Sequence, residues 1–381
     1  MTRRALLRFA AAAWLTVGAM VMVYSAAPGR LVYIGTYTGD SSKGIYAFRF
    51  DEGSGALSPV GLVAETKSPS FLAVGPNRKF LYAVNEISSF EGERAGSVSA
   101  FSIDIQSGRL TALNAKSSKG DGPCHLAVDA TGRFVAVANY GGGNFSLLPI
   151  GADGRLGDAV AILANGGSGP DKERQEGPHA HAVVFDGRNR HLLGADLGLD
   201  RVFVYKFDPS TGSLGANDPS SVQLAPGAGP RHVAFHPTLP LAFSLNELTS
   251  TITSLSWDPA KGRLAAAGSV SSLPAGFAGE NTTAEIAVHP NGRFLYGSNR
   301  GNDSIAVFAI APTGTLTLVE HESTRGKEPR NFAIDPSGKW LIAANQKSNS
   351  LAVFSIDQNT GALSPVGGLA QVGTPVCVLF L

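Results

Sequence analysis

A short phrase of the form Pro-x-x-x-Ala, followed by a turn and an aliphatic run that ends in Asn, recurs along the chain. The Pro and the Asn are sixteen residues apart in four copies, which are Pro69/Asn85, Pro123/Asn139, Pro230/Asn246 and Pro329/Asn345. Three further copies vary the phrase, namely Pro178 to Asp196, Thr283 to Asn299, and Pro375 to the C-terminal Leu381. Seven copies of one unit predict a repeat fold rather than several unrelated domains.

Each unit carries four short strand signals rich in Val, Phe, Leu and Ala, illustrated by residues 125–129, 134–139, 144–150 and 159–164. The last two strands are joined by a Gly-x-Leu turn that occurs seven times, beginning at Gly55, Gly108, Gly154, Gly212, Gly262, Gly314 and Gly361. Four-stranded antiparallel units that repeat every 46 to 57 residues are typical of a β-propeller, whose closure into a ring protects the sheet edges. We therefore predict an all-β, seven-bladed β-propeller.

The repeat also predicts how the ring closes, because its first and last copies are incomplete. Residues 31–36 resemble the second strand of the other copies, such as residues 80–85, whereas the copy that begins at Pro375 ends after its first strand. We expect residues 31–36 to pair with residues 376–381, so that both ends of the mature chain lie in one sheet. Fixed-period repeats fuse into one array, so we predict a single domain over residues 28–381.

The first 27 residues differ from the rest of the chain. Arg3, Arg4 and Arg8 precede an uncharged stretch over residues 9–23, and small residues follow at positions 25–27. This stretch is shorter than the roughly 20 residues that a membrane-spanning helix needs. We predict a signal peptide over residues 1–27, no stable membrane insertion after its cleavage, and a periplasmic or secreted protein. The paired arginines also resemble a twin-arginine export signal.

The overall charge limits the partners that the protein can have. With 31 Lys and Arg residues against 30 Asp and Glu residues, the net charge is +1 at pH 7. This balance leaves no basic face for nucleic acid, and we expect a monomer that acts on a small molecule. Cys124 and Cys377 fall in the first strands of non-adjacent repeats, so we predict two buried thiols rather than a disulfide.

Function is expected at one rim of the propeller. A strand pair joined by a hairpin starts and ends at the same rim, so the residues after each repeat Pro meet those around each terminal Asn. The long irregular connections, residues 86–96, 164–177 and 271–282, share that rim, and variable loops on a rigid scaffold are where sites are usually built. The segment 172–176 is mixed in charge and is interpreted either as a lid or as a solvated loop.

His181, Arg231 and Glu247 form the candidate catalytic group at this rim. One hairpin places Arg231 beside Glu247, and His181 lies on the preceding blade. A carboxylate beside an imidazole can move protons, and a guanidinium can bind an acid group or a developing oxyanion. This set suits ring opening or closing of an acidic lactone. The alternative interpretation is a structural ion pair between Arg231 and Glu247 at a blade junction.

Two more arginines, Arg300 and Arg330, follow on the next two blades and could add positive charge near the same axis. Together with Arg231 they favour an anionic ligand, although each alone could hydrogen bond to neighbouring loop carbonyls. The remaining candidate substrate-binding residues at this rim are His125, His179, Asp196, Asn246 and Glu285.

A metal site is the alternative use of the histidines. His179 and His181 alternate along a predicted strand and could hold a metal ion with Asp196 or Glu285. No third His or Cys stands at ligand spacing in the same strand, so we predict no metal and no cofactor.

The motifs at this rim resemble those of the bacterial lactonases of seven-bladed propeller type, usually described as 6-phosphogluconolactonases. The resemblance covers essentially the whole chain from Leu31, and its most specific pieces are Gly177-Pro-His-Ala-His181, Ala195-Asp-Leu-Gly198, Gly229-Pro-Arg-His232, Asn246-Glu-Leu248 and Ser298-Asn-Arg-Gly301. The same superfamily includes the fungal carboxymuconate lactonizing enzyme, in which a His, a Glu and arginines handle a carboxylated lactone.

By this resemblance the corresponding roles fall on His181, Glu247, Arg231 and Arg300. It implies a carboxylic ester hydrolase that opens a sugar-acid lactone without a metal. Glu247 or His181 would activate water, and the arginines would bind the acid group and stabilise the tetrahedral oxyanion.

Two other functions remain open at this point. One is a cycloisomerase that runs the lactonizing direction on a muconate, and the other is a non-catalytic exported propeller that binds a protein or a cell-wall ligand. The predicted export signal also separates this chain from a cytosolic phosphorylated lactone, so its substrate is expected to be a sugar-acid lactone whose identity the sequence does not give.

Overall fold

A computed structural model describes residues 29–381 of the protein. The signal peptide predicted for residues 1–27, with its twin-arginine motif, lies outside the described residues. From residue 29 onward, no helix is long and apolar enough to cross a membrane.

The described residues form 28 strands. The first fourteen are β1 (Arg30–Thr36), β2 (Gly44–Phe50), β3 (Leu57–Glu65), β4 (Leu72–Val74), β5 (Phe80–Asn85), β6 (Ser97–Ile103), β7 (Leu110–Ser117), β8 (Pro123–Val128), β9 (Phe134–Asn139), β10 (Asn144–Pro149), β11 (Ala161–Ala164), β12 (Ala180–Phe185), β13 (His191–Asp196) and β14 (Arg201–Asp208). The other fourteen are β15 (Ser213–Gln223), β16 (Pro230–Phe235), β17 (Leu241–Asn246), β18 (Thr251–Asp258), β19 (Arg263–Ser271), β20 (Thr282–Val288), β21 (Phe294–Arg300), β22 (Ser304–Ile310), β23 (Leu316–Ser323), β24 (Pro329–Ile334), β25 (Trp340–Asn345), β26 (Ser350–Ile356), β27 (Leu363–Gln371) and β28 (Pro375–Phe380).

These strands make seven four-stranded antiparallel sheets within residues 29–381. Six sheets take four consecutive strands each, from β4–β7 to β24–β27, and the seventh has the order β28-β1-β2-β3. The first strands of neighbouring sheets touch one another around the whole ring, from β4 through β8, β12, β16, β20 and β24 to β28 and back to β4. The predicted seven-bladed propeller is confirmed, and the seven first strands line its central channel.

Ring closure is also as predicted. Val32 pairs with Phe380 and Gly35 with Cys377, so that β1 and β28 lie side by side in the seventh sheet. A cluster of buried apolar residues fills the space between each pair of neighbouring sheets, including the pair on either side of the closure. Cys124 and Cys377 are both buried free thiols, which confirms that prediction.

The repeated Asn and Gly residues have structural roles. The amide of Asn139 donates to the carbonyl of Ser118, and the amide of Asn345 donates to the carbonyl of Thr324, so each Asn ties its strand to the loop before the blade. The Gly of each Gly-x-Leu turn has a positive φ, and a Cβ at Gly154 would stand 2.3 Å from the ring of Phe80 on the neighbouring blade. Only glycine fits such a position without strain.

A register shift near the start of the innermost strands decides which side chains reach the channel. Most of these strands leave one residue without a partner in the second strand, as with Cys124 in β8, His181 in β12, Arg231 in β16 and Arg330 in β24. A bulge of this kind re-aims a side chain, and bulges are frequent beside active sites. The bulged residues lie in one tier at the channel mouth.

Candidate active site

Glu247 is the centre of the charged group at the channel mouth. It directly follows β17, and its peptide N–H donates to the carbonyl of Gly229 at 2.7 Å, which fixes the backbone there. Its Oε2 lies 2.9 Å from Nε of Arg231 and 3.0 Å from Nη2 of Arg300, and its Oε1 lies 2.7 Å from Nη2 of Arg174. Three guanidinium groups from three parts of the chain therefore meet on one carboxylate.

The charge state of Glu247 follows from these neighbours. Burial acts to raise the pKa of the carboxyl, but the positive charges of Arg300, Arg231 and Arg174 outweigh it and lower the pKa to about 2. The carboxylate is therefore an anion at neutral pH, and it is a weak base.

The imidazole of His181 lies beside this carboxylate. Its Nε2 lies 3.9 Å from Oε2 of Glu247, and its Nδ1 lies 3.7 Å from Sγ of Cys124. Burial and the charge of Arg231 lower the pKa of His181 well below 6.5, so the ring is neutral at neutral pH. An uncharged imidazole without a close hydrogen bond on Nε2 among residues 29–381 is free to accept a proton from water.

Arg330 lies on another side of the channel with Tyr37 and Glu86. Nη2 of Arg330 donates to the Tyr37 hydroxyl at 2.8 Å, and that hydroxyl lies 2.9 Å from each carboxylate oxygen of Glu86. Burial raises the pKa of Tyr37, so the phenol stays protonated and can donate to Glu86 while it accepts from Arg330. The hydroxyl thus holds the guanidinium in place.

A cavity of about 310 Å³ opens between these two groups. Its walls are formed by Glu86, Cys124, Tyr140, Arg174, His181, Glu247, Thr282, Arg300 and Arg330. Three arginines and two carboxylates give these walls an excess of positive charge. A much smaller cavity of about 10 Å³, room for a single oxygen-sized group, shares Glu86, Cys124 and Arg330 with the first, and Arg231 also lines it.

The fold and this constellation agree with comparisons to known proteins. A family model described as lactonase, 7-bladed beta-propeller, matches residues 31–380. The 6-phosphogluconolactonase of Bacillus subtilis is 38% identical over 350 residues, which cover 92% of this chain and 97% of the relative. This chain belongs to the seven-bladed β-propeller lactonase family.

Two further relatives agree with this assignment. The 6-phosphogluconolactonase of Pectobacterium carotovorum is 36% identical over 311 residues, 81% of this chain and 87% of that protein. The solved structure of the Pseudomonas aeruginosa periplasmic gluconolactonase superposes with a TM-score of 0.86 at 34% identity, covering 92% of this chain and 99% of that one. The predicted family and enzyme class, a carboxylic ester hydrolase of lactonase type, are thereby confirmed.

Beneath the cavity this lactonase has a second tier of buried polar side chains. His232 places Nε2 3.0 Å from Nη1 of Arg231 and Nδ1 3.0 Å from Oε1 of Glu285. Because the guanidinium can only donate, Nε2 of His232 must accept, and Nδ1 therefore carries the proton and donates to Glu285. The other oxygen of Glu285 accepts from the amide of Asn331. A continuous hydrogen-bond chain thus runs from Asn331 to Arg231.

The buried carboxyl of Glu285, in this tier, has a raised pKa. Burial raises the pKa of Glu285 to about 7, although the N–H of Ile286 and nearby positive charges act to lower it. His125 packs in the same tier, with its ring 3.9 Å from that of Phe71 and 5.0 Å from that of His232. Neither His125 nor Glu285 is among the described residues that line the two cavities.

Three predicted binding residues are engaged in the blades of the lactonase rather than in the cavity walls. His179 precedes β12, stacks on Tyr140 at 4.5 Å and contacts Glu176. The carboxylate of Asp196 accepts from the peptide N–H groups of His179, Gly198 and Leu199, which closes a turn. The amide of Asn246 donates to the hydroxyls of Thr251 and Thr253.

The expected alternation of His179 and His181 along one strand does not apply, because β12 begins at Ala180 and its register shifts at His181. Within residues 29–381, no group of three or more His, Cys, Asp and Glu side chains is placed to hold a metal ion.

Arg174, Tyr37 and Tyr140 are candidate site residues that the sequence alone does not indicate. All three lie on connections between strands. The available signal for Tyr37 and Tyr140 is position, since each directly follows the second strand of its blade, as Glu247 does. Arg174 lies inside the segment that was interpreted as a lid or a solvated loop.

Proposed function

We propose that the protein hydrolyses an anionic sugar-acid lactone in the cavity at the channel mouth. The observation that carries the proposal is the group of Arg174, Arg231 and Arg300 on one carboxylate with a neutral His181 beside it. Relatives named 6-phosphogluconolactonase and gluconolactonase support the choice of a sugar-acid lactone. The excess positive charge of the cavity walls favours a ligand that carries a carboxylate or a phosphate.

In the proposed reaction His181 is the general base. A water molecule attacks the lactone carbonyl carbon while Nε2 of His181 accepts one of its protons. The carbon becomes tetrahedral and the carbonyl oxygen becomes an oxyanion. When the ring C–O bond breaks, the imidazolium returns the proton to the leaving ring oxygen, and the product is an open-chain hydroxy acid.

Glu247 has a supporting role in this proposal. The sequence alone leaves the choice of base open between Glu247 and His181. A carboxylate whose pKa is about 2 has little tendency to take a proton from water, whereas its fixed negative charge 3.9 Å from Nε2 stabilises the imidazolium that forms there. Glu247 also holds Arg231 and Arg300 in one orientation.

The oxyanion is assigned to the smaller cavity below. Arg231 and Arg330 both line it, and burial followed by the charge of Arg330 lowers the pKa of Arg231. The two guanidinium groups outnumber Glu86, the one carboxylate in the lining of this cavity, so a negative charge that develops beside them is stabilised. Arg300, which lines the larger cavity, then binds the acid group of the substrate together with Arg174.

We propose export to the periplasm or the medium as the cellular setting. The predicted signal over residues 1–27 motivates this, and the similar Pseudomonas aeruginosa protein is described as periplasmic. Fractionation of cells that express the full chain tests the proposal. Recovery of the activity in the periplasmic or culture fraction supports it, and recovery in the cytosol alone contradicts it.

The activity is tested by titration of released acid at constant pH with a panel of lactones. The panel includes 6-phosphoglucono-δ-lactone, glucono-δ-lactone and a carboxylated sugar lactone, and it compares the wild type with Arg231→Ala. We expect hydrolysis above the buffer rate and a loss of about a hundredfold or more in Arg231→Ala. A wild-type protein that opens none of these lactones faster than buffer would contradict the proposed function.

A further inference from the structure

The connection between β11 and β12, residues 165–179, brings one side chain across the channel mouth. Gln175 anchors it: the side chain is fully buried, and its amide donates to the carbonyl of Leu197 at 2.8 Å and to Oδ1 of Asp200 at 2.7 Å. The peptide N–H of Gln175 also donates to the carbonyl of Asp171, which closes a turn around Arg174. Arg174 is therefore presented to the cavity from a fixed position, although no strand holds it.

Arg174 differs from the other two arginines on Glu247 in the oxygen that it binds. Arg231 and Arg300 both contact Oε2, whereas Arg174 contacts Oε1 at 2.7 Å. Among residues 29–381, Arg174 is the hydrogen-bond donor to Oε1. Movement of this guanidinium would leave both strand-held ion pairs of the carboxylate intact.

Arg174 also has the most exposed side chain of the three arginines that contact Glu247. Its side chain is 39% exposed, whereas those of Arg231 and Arg300 are 3% and 12% exposed. Its second contact, from Nη2 to the Tyr140 hydroxyl, is long at 3.3 Å. The planar fork of a guanidinium binds a carboxylate or a phosphate in the geometry that it uses with Glu247. An acid group that enters the cavity therefore competes with Oε1 for the same donors.

We propose that Arg174 is a specificity-determining residue, which exchanges Oε1 of Glu247 for the carboxylate or phosphate of the substrate. This inference rests on the proposed function. The exchange selects for anionic lactones, because a neutral lactone offers Arg174 no negative charge in place of the Glu247 carboxylate.

The exchange leaves Glu247 able to support the reaction. The groups that face this carboxylate are Arg231 from β16, Arg300 from β21, His181 from β12 and Arg174 from the loop. Loss of the Arg174 contact raises the pKa of Glu247, but the two remaining arginines keep it an anion at neutral pH. The electrostatic partner of His181 is therefore retained when the substrate is bound.

The test compares Arg174→Gln with the wild type on two pairs of lactones. In each pair the members differ in the acid group: 6-phosphoglucono-δ-lactone with glucono-δ-lactone, and glucaro-1,4-lactone with glucono-1,4-lactone. A charge-assisted hydrogen bond is strong enough that we expect KM for the anionic member to rise about tenfold more than KM for its neutral partner. The pair with the larger difference identifies whether phosphate or carboxylate is the recognised group.

Lys172→Gln is the matched control, because it removes the same charge from the same loop and Lys172 is exposed. It should change KM equally for both members of a pair. Equal effects of Arg174→Gln on anionic and neutral lactones in both pairs would overturn the proposal.

A binding measurement separates this proposal from the proposed function. If the wild type hydrolyses no lactone, the proposed function fails, but calorimetry with glucose 6-phosphate and glucuronate, each against glucose, still tests Arg174. Binding of either acid by the wild type, weakened about tenfold in Arg174→Gln and unchanged in Lys172→Gln, supports the selection of an acid group. Equal binding by the wild type and Arg174→Gln, or no binding of either acid, contradicts it.

Discussion

Nε2 of His181 lies 3.9 Å from Oε2 of Glu247, and both side chains are buried at the mouth of the propeller channel. The imidazole is neutral because burial and Arg231 lower its pKa, while the carboxylate is an anion because three arginines lower its pKa. The proposed hydrolysis needs a neutral base and a separate negative charge that stabilises this base once it is protonated. His181 is the base, and Glu247 supplies the negative charge.

The first prediction concerns the pH dependence of hydrolysis. His181 accepts a proton only when it is neutral, and its lowered pKa keeps it neutral as the pH falls through 6.5. We expect kcat/KM to stay level down to pH 6.5 and to decline only at lower pH, and His181→Gln to lower kcat by about 10² to 10⁴. Titration of released acid between pH 5 and 7.5 measures both. An acid limb centred at or above pH 6.5 would contradict the assignment of the base.

The second prediction concerns the stability contributed by Glu247. Its pKa falls from the ordinary value of 4.5 to about 2 on folding. The stabilisation is therefore fully present above pH 4.5 and is lost as the pH falls toward 2. It amounts to about 3 kcal/mol in the free energy of unfolding, since one pKa unit corresponds to about 1.4 kcal/mol.

Urea unfolding from pH 2 to 7 measures this loss. Glu247→Gln should be less stable than the wild type at pH 7, and the difference between the two proteins should shrink as the pH falls. Parallel stability curves at all pH values would show that the ion pairs of Glu247 do not carry this contribution.

The fold was predictable because the repeat fixes both the strands and their register. The sixteen-residue spacing places each repeat Pro opposite its Asn, and Pro123 does pair with Asn139, as Pro329 does with Asn345. The incomplete first and last copies likewise predicted the pairing of β1 with β28, because the three strands β1–β3 and the single strand β28 complete a four-stranded sheet only together.

The site was predictable only where it depends on that register. Arg231 follows its repeat Pro and Glu247 follows its repeat Asn, so the hairpin brings them together. Asn246 illustrates the opposite case, because an Asn that recurs in most blades for hydrogen bonding indicates the fold rather than the function. Arg174 could not be placed, since loop conformation depends on local contacts, such as those of Gln175, that periodicity does not encode.

The third prediction concerns the Tyr37 hydroxyl. Tyr37→Phe removes the acceptor that holds Nη2 of Arg330 at 2.8 Å and the donor to Glu86. Because Arg330 lines the cavity assigned to the oxyanion, we expect kcat to fall about tenfold with a smaller change in KM. Steady-state kinetics on the best lactone of the panel measures the two constants.

The control for this prediction is Tyr33→Phe. Tyr33 lies in β1, the strand that precedes Tyr37, and donates its buried hydroxyl to the carbonyl of Gly108 on the neighbouring blade. Its loss should lower the free energy of unfolding and leave kcat unchanged. A fall in kcat of the same size in both variants would mean that Tyr37 acts only on stability.

The fourth prediction concerns the hydrogen bond that the Asn331 amide donates to Glu285. Two substitutions reverse its donor and its acceptor. In Glu285→Gln the new amide group faces the Asn331 amide, so two donors meet in a buried place and the free energy of unfolding should fall by about 1–3 kcal/mol. Asn331→Asp instead brings two carboxyl groups together. The double variant restores the match, because the new carboxylate at position 331 would accept from the new amide at position 285 with one oxygen and from the N–H of Val378 with the other.

A double-mutant cycle by urea unfolding, with kcat measured on each protein, tests this exchange. We expect the double variant to recover at least half of the stability that the single variants lose, since the coupled groups are in direct contact. The kcat value should recover with it, because Glu285 fixes the tautomer of His232 and His232 accepts from Nη1 of Arg231. Recovery of stability without kcat would mean that the hydrogen-bond chain supports the blades but does not position Arg231.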